Sequence, residues 1–359
     1  MSFASEQDES PSTSRSVLAI TFAAAIAIIT AIATTAWAPP SPGREESKPV
    51  QAAGINEKAP IAAFPTVNQG YALAAPCTGE GCHYRLWTTA TGGESWRGFS
   101  TPLLVEASRP QLGTFGTSGV LLANQDDRWI SNDRGRIWRK LPSEPLATRA
   151  ALPMGSLTIT RCVDNTCHVD AIEPDGTLVT LETEPGLADV DSAGWQRLTR
   201  SSLILSGVDQ HGNAMVVTSP DAGQSWRAME MTPQVGEPRS MRASGNAEGT
   251  MLLWARSVDN TITSYRSDDN GGSWNALATV PAQPVSFVIL SSGRALVLDG
   301  AILFASDPGS STLSELPDAP ALRNLRDTGE MLVGTGLAGE VYLSIDGTNW
   351  RHLDLSSLS

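Results

Sequence analysis

The chain has 359 residues and a formal net charge of −13, from 25 Lys and Arg against 38 Asp and Glu. That balance argues against a nucleic-acid binder, which needs a basic stripe to displace phosphate counterions. Lysine is confined to Lys48, Lys58 and Lys140, so arginine carries almost all the positive charge, a bias that genome composition is enough to explain.

Residues 1–16 read as a short cytoplasmic tail. Residues 17–38, VLAITFAAAIAIITAIATTAWA, carry no charge and are long enough to cross a bilayer with some tilt. Ala36–Ala38 also has the look of a small-residue cleavage site, but Pro39 comes directly after it and the apolar run exceeds a usual signal-peptide core. The favoured reading is a single-pass anchor in the cytoplasmic membrane, with residues 39–359 on the extracytoplasmic side. The alternative is secretion after cleavage. Residues 39–60 are rich in Pro, Gly and charge without hydrophobic period, as in a flexible linker. Residues 61–359 form the folded part.

Within it, CTGEGCH at Cys77–His83 and CVDNTCH at Cys162–His168 hold all four cysteines. A second signal recurs along the chain. SNDRGRIW (Ser131–Trp138), SPDAGQSW (Ser219–Trp226) and SDDNGGSW (Ser267–Trp274) all fit Ser-x-Asp-x-Gly-x-x-Trp. TATGGESW (Thr89–Trp96) has Thr91 in the Asp place, and SIDGTNW (Ser344–Trp350) is one residue shorter. Asp accepting backbone N–H groups, Gly supplying unusual geometry and Trp opening the next strand describe a strand, a tight turn and a strand. Degenerate copies at Trp195 and Leu313 complete seven anchors, Trp96, Trp138, Trp195, Trp226, Trp274, Leu313 and Trp350, about 42 residues apart, the length of one four-stranded propeller blade. The intervals hold short apolar runs cut by turn residues, such as TLVTLE, TMLLWARS and ILFAS, which favour strands over a helical repeat. The weak anchors leave six blades as the alternative to seven.

With these boxes the chain resembles the sialidase-type Asp-box (BNR repeat) propellers. The resemblance implies an all-β propeller whose boxes lie between the third and fourth strands of each blade, away from the central pocket. Asp133, Trp138, Asp221, Trp226, Asp269, Trp274, Asp346 and Trp350 would then be structural. True sialidases add an Arg-Ile-Pro-like motif, an arginine triad, a Tyr–Glu nucleophile pair and an Asp acid/base. The early segment APIAAFPTVNQGYALAA contains no arginine. Tyr71, Tyr84, Tyr265 and Tyr342 have no obvious Glu partner, so no catalytic residue is assigned. Non-enzymatic members of the family include assembly factors for photosynthetic membrane complexes and extracytoplasmic receptor-like domains. The chain resembles these more closely, as a membrane-tethered binding or assembly module whose partner is a membrane or extracytoplasmic protein, or a glycan. The alternative is an exo-sialidase-like or other glycoside hydrolase with its site in the channel.

Arg109, Arg149, Arg239 and Arg323 each come ten to thirteen residues after an anchor, where the blade reading puts the start of the innermost strand. They are candidates for a positive rim that binds an anionic ligand or an acidic partner. Cys-x4-Cys-His is a rarer form of the haem-attachment motif, but both copies lie between runs that read as paired strands, with no haem pocket in sight. A zinc site would need ligands from blades a full blade apart. The turn-rich TGEG and VDNT connections favour hairpin disulfides Cys77–Cys82 and Cys162–Cys167 in an oxidising compartment, with no cofactor.

Overall fold

The structure is a computed structural model that describes residues 60–359 apart from 76, 79–80, 105–109, 125–126, 191–195, 199, 279–283, 329, 356–357 and 359. The tail at 1–16, the anchor at 17–38 and the linker at 39–60, apart from Pro60, lie outside the described residues. Among those described, no helix is long and apolar enough to cross a membrane.

Seven sheets form seven blades of a β-propeller. Blade one comprises Ile61–Ala63, Gly70–Ala74, Gly81–Thr89 and Arg97–Leu104, and blade two Gln111–Phe115, Gly119–Ala123, Arg128–Ser131 and Arg139–Lys140. Both run from the inner strand outward in sequence order. So do blades four to seven, which begin at Asp189–Val190, Pro238–Gly245, Pro284–Ile289 and Leu322–Asp327. The ring is a consequence of packing, because a buried apolar cluster fills each gap between neighbouring blades. One of these joins Phe64 and Ala72 of blade one to Val333, Val341 and Leu353 of blade seven. Covered on both faces, second strands such as Gly70–Ala74 and Gly119–Ala123 are buried at every position. Their sequences accordingly read as unbroken apolar runs.

Antiparallel alternation puts the turns after the first and third strands on one face of the ring, here the box face. The turns after the second strand lie on the opposite face, where the chain also enters at Pro60.

Blade three departs from this order. Outward from the channel it runs Gln196–Arg197, Leu157–Val163, Thr166–Ile172, Leu178–Leu181 and Ala147–Arg149, the last parallel to its neighbour. Its inner strand therefore comes from a segment later in the chain than blade four's inner strand, and the two blades interlock. Trp195 itself lies outside the described residues. The Gln196–Arg197 pair just after it sits on the inner edge of blade three, which corrects the expectation of an outer strand beginning there. Blade three instead has the compact turn Glu173–Thr177, closed by the N–H of Glu173 to the Thr177 carbonyl at 2.9 Å.

Candidate functional site

The box turns use up their own polar groups. In blade two the Ser131 hydroxyl donates to Asp133 Oδ1 at 2.7 Å. The same oxygen accepts the N–H groups of Arg136 and Ile137 at 3.1 and 2.9 Å, and Gly135 N–H donates to Ser131 Oγ at 2.8 Å. In blade four Asp221 accepts the Ser225 N–H and hydroxyl at 2.9 and 2.6 Å, and in blade five Asp269 accepts those of Ser273, both at 2.8 Å. The shorter blade-seven turn gives Asp346 the N–H groups of Thr348 and Asn349 and the Asn349 amide.

These donors favour the ionised carboxylate. The Ser273 N–H above all lowers Asp269 to about 2. The Asn349 N–H holds Asp346 below the usual range, and the Ser225 hydroxyl does so for Asp221. At Asp133, partial burial pulls upward but is outweighed by the Ile137 N–H, the Ser131 hydroxyl and the Arg136 N–H. The box glycine docks onto the preceding blade. Gly223 has φ +94°, and a Cβ there would lie 2.2 Å from Leu181 Cδ1. The tryptophans also brace the ring: Trp138 Nε1 donates to the Ser100 carbonyl of blade one and Trp226 Nε1 to Thr183 Oγ1 beyond blade three, each at 3.0 Å. Trp274 packs in the cluster between blades four and five, and Trp350 Nε1 donates to the Gly347 carbonyl at 3.1 Å.

All seven blades line a central cavity of about 320 Å³, through residues such as Ala62, Thr114, Leu157, Ile204, Ser244, Phe287 and Leu325. Its charged lining residues among those described are Arg326 and Asp327, adjacent on the inner strand of blade seven. The mouth on the box face carries Glu330, Asp327 and the ion-paired Arg200 and Glu248. The opposite mouth carries Arg323, Asn324 and Arg326 beside Pro60 and Ile61. The channel thus runs from an acidic end to a basic one.

The four candidate arginines do not converge. Arg323 lines the basic mouth. Arg239 is exposed at the foot of blade five's inner strand and donates to Asn260 Oδ1 at 3.2 Å, outside the cavity lining. Arg149 lies on the outermost strand of blade three, in a two-pronged pair with Glu173 at 2.9 and 3.0 Å, because the next strand after Trp138 and its short partner goes to the outer edge. Arg109 lies outside the described residues. Arg326 was missed by counting from anchors, although it stands three residues after Arg323 on the same short inner strand, LRNLRD.

No tyrosine lines the cavity. Tyr71 accepts from Gln69 Nε2, Tyr265 donates to the Gln234 carbonyl, Tyr342 meets the His352 ring at a tilt of 51° and Tyr84 is buried between blades one and two. Among the described residues no group of three or more His, Cys, Asp or Glu is placed to hold a metal ion. Cys162 and Cys167 form a disulfide across directly opposed positions. The two-residue turn between them has φ 51° at Asp164 and 59° at Asn165. His168 Nδ1 lies 3.5 Å from Glu184. The Cys77 and Cys82 backbones are likewise opposed, while their side chains lie outside the described ones. Both hairpins are second-to-third-strand turns, in blades one and three, on the face opposite the boxes.

No family model and no curated protein matches the chain. Among solved structures it is similar to YCF48 bound to D1 peptide, at 15% identity over 82% of this chain and 81% of that chain, TM-score 0.34. It is similar also to YCF48 from Cyanidioschyzon merolae (14% identity, 81% and 94% covered, TM-score 0.46). A third similar structure is BP39L lectin from Burkholderia pseudomallei (13% identity, 83% and 99% covered, TM-score 0.44). With TM-scores under 0.5 these likenesses carry no argument about what this chain does.

Proposed function

We propose that the chain is a non-enzymatic member of the Asp-box propellers, a binding or assembly module tethered by residues 17–38 on the extracytoplasmic side of a membrane, whose partner is a protein. Five turns built on one Ser/Thr-x-Asp/Thr hydrogen-bond plan support the family reading. The partner reading rests on the face opposite the boxes. There the hairpin tips of blades three, five and six expose Val163, Val258 and Ile302 at 46%, 56% and 46%. These apolar tips lie on the face that carries the Arg323–Arg326 mouth, and the chain enters the ring at Pro60 on the same face. Exposed apolar tips on the same face as a cationic mouth suit a protein surface that pairs apolar contacts with an acidic feature.

The test is co-purification from detergent-solubilised membranes with the full chain and with a V163D/V258D/I302D variant. A partner retained by the parent and lost from the variant is the expected result. No partner, or one that the variant holds equally well, removes the proposal.

A further inference from the structure

On the box face, between blades one and two, lies a second concavity of about 260 Å³. Three arginines line it, Arg97 from the outer strand of blade one and Arg134 and Arg136 from the blade-two box, with no carboxylate among the lining residues. In a chain of net charge −13 such a pocket stands apart, and the blade-one box accounts for part of it. Where blades two, four, five and seven place an ionised Asp, blade one has Thr91. Its hydroxyl does the turn's work without charge, accepting the Ser95 N–H at 3.0 Å.

The same substitution frees a donor. Thr89, Thr91 and Ser95 form a hydroxyl chain with contacts of 3.2 and 3.0 Å, which uses two of three protons. The third is left at the Thr89 or Ser95 end, and both ends line the pocket. Gln69 spends its N–H groups on the Tyr71 hydroxyl and the Thr117 carbonyl, which leaves its side-chain oxygen as an acceptor. Trp96 and Phe99 supply apolar walls, and the Arg97 guanidinium is held over the Phe99 ring at 5.3 Å.

We infer that this pocket binds an acidic saccharide, a single pyranose unit whose carboxylate meets the arginines. Planar guanidinium forks match a carboxylate, aromatic walls match a ring's C–H face, and hydroxyl and amide groups match its hydroxyls. A peptide is a poorer fit, because the strand ends that form the walls pair with each other, Thr88 opposite Arg97, and present no free edge there. The site lies on the face away from the proposed partner surface and does not depend on it.

The full chain is titrated by calorimetry with D-glucuronate, D-glucose and a tri-glutamate peptide. Glucuronate is expected to bind with salt-sensitive affinity, and glucose roughly tenfold or more weakly. R97Q/R136Q is expected to weaken glucuronate roughly tenfold or more. T91D, which puts the box carboxylate back, is expected to weaken it likewise with no fall in melting temperature. The proposal is overturned if the parent does not bind glucuronate, if R97Q/R136Q binds it undiminished, if the loss appears only in R326Q at the channel mouth, or if the peptide binds more tightly.

Discussion

Asp269 illustrates how one carboxylate holds a turn together. It accepts the Ser273 N–H and hydroxyl and the Ser267 hydroxyl, and its pKa falls from 3.8 to about 2. A group whose pKa is lower folded than unfolded stabilises the fold above the unfolded value, and that contribution disappears as pH falls through the folded value. Asp269→Asn is therefore expected to melt at lower temperature than the parent at pH 7, with the gap closing as pH falls from about 4 to about 2. Melting curves across that range check it, and a gap constant with pH would show that the charge is not what matters. This level of structure is the most legible in the sequence. The Ser267 and Asp269 side-chain bonds all stay within the Ser267–Trp274 turn, so Ser-x-Asp-x-Gly-x-x-Trp specifies its own geometry, and the Asn270 N–H ties the turn to the Gly249 carbonyl at 2.9 Å. Thr91 shows the limit: the motif reveals the substitution, but not that Arg134 and Arg136 of the next blade border the place it leaves uncharged.

At the scale of the strand pair, the blade-three hairpin has two independent determinants. Asp164 and Asn165 both adopt positive φ, as a two-residue turn of the twist-matching kind requires, and the disulfide closes the same ends. C162S/C167S is thus expected to lose about 2 kcal/mol through restored unfolded-chain entropy, with the hairpin itself retained. Denaturant titration gives the first quantity, and amide exchange at Arg161 and His168 the second. An unprotected hairpin in the variant would mean that the turn alone does not suffice. This hairpin was legible because turn chemistry and cysteine spacing agree. The rest of blade three was not. A two-residue strand such as Gln196–Arg197 carries too little pattern to reveal which sheet edge it joins, and its partner, Leu157–Thr158, lies far back in the chain. Ala147–Arg149 is equally short of pattern, and its pairing with Val179–Leu181 is parallel. The anchor period located both segments but not their edges, which moved Arg149 from the expected channel rim to the outside of the ring.

Across the whole ring, seven blades require one seam where the last meets the first. Here blades one and seven are each built from a contiguous segment, Ile61–Leu104 and Leu322–Leu353, and among the described residues no strand is exchanged between them. Side-chain contacts close the seam instead. Thr328 Oγ1 accepts the Phe64 N–H at 3.3 Å and lies 2.8 and 3.0 Å from the carbonyls of Phe64 and Met331, while Arg351 donates to the Gly92 carbonyl. Below them Phe64, fully buried, packs edge-on against Trp96 at 6.2 Å. By contrast the interlock of blades three and four ties that junction through backbone ladders on both sides. A ring joined this unevenly opens where fewest backbone bonds cross, because local openings occur at the weakest cooperative boundary. Thr328→Val keeps the shape and removes the hydroxyl, so it is expected to cost about 1–2 kcal/mol and to act at the seam. Hydrogen exchange should then speed up first in Phe64, Tyr71–Leu73 and Val333, with the strands of blades three and four unchanged. Acceleration spread evenly around the ring would show that the blades unfold as one unit and that the seam is no weaker than the interlocked junction.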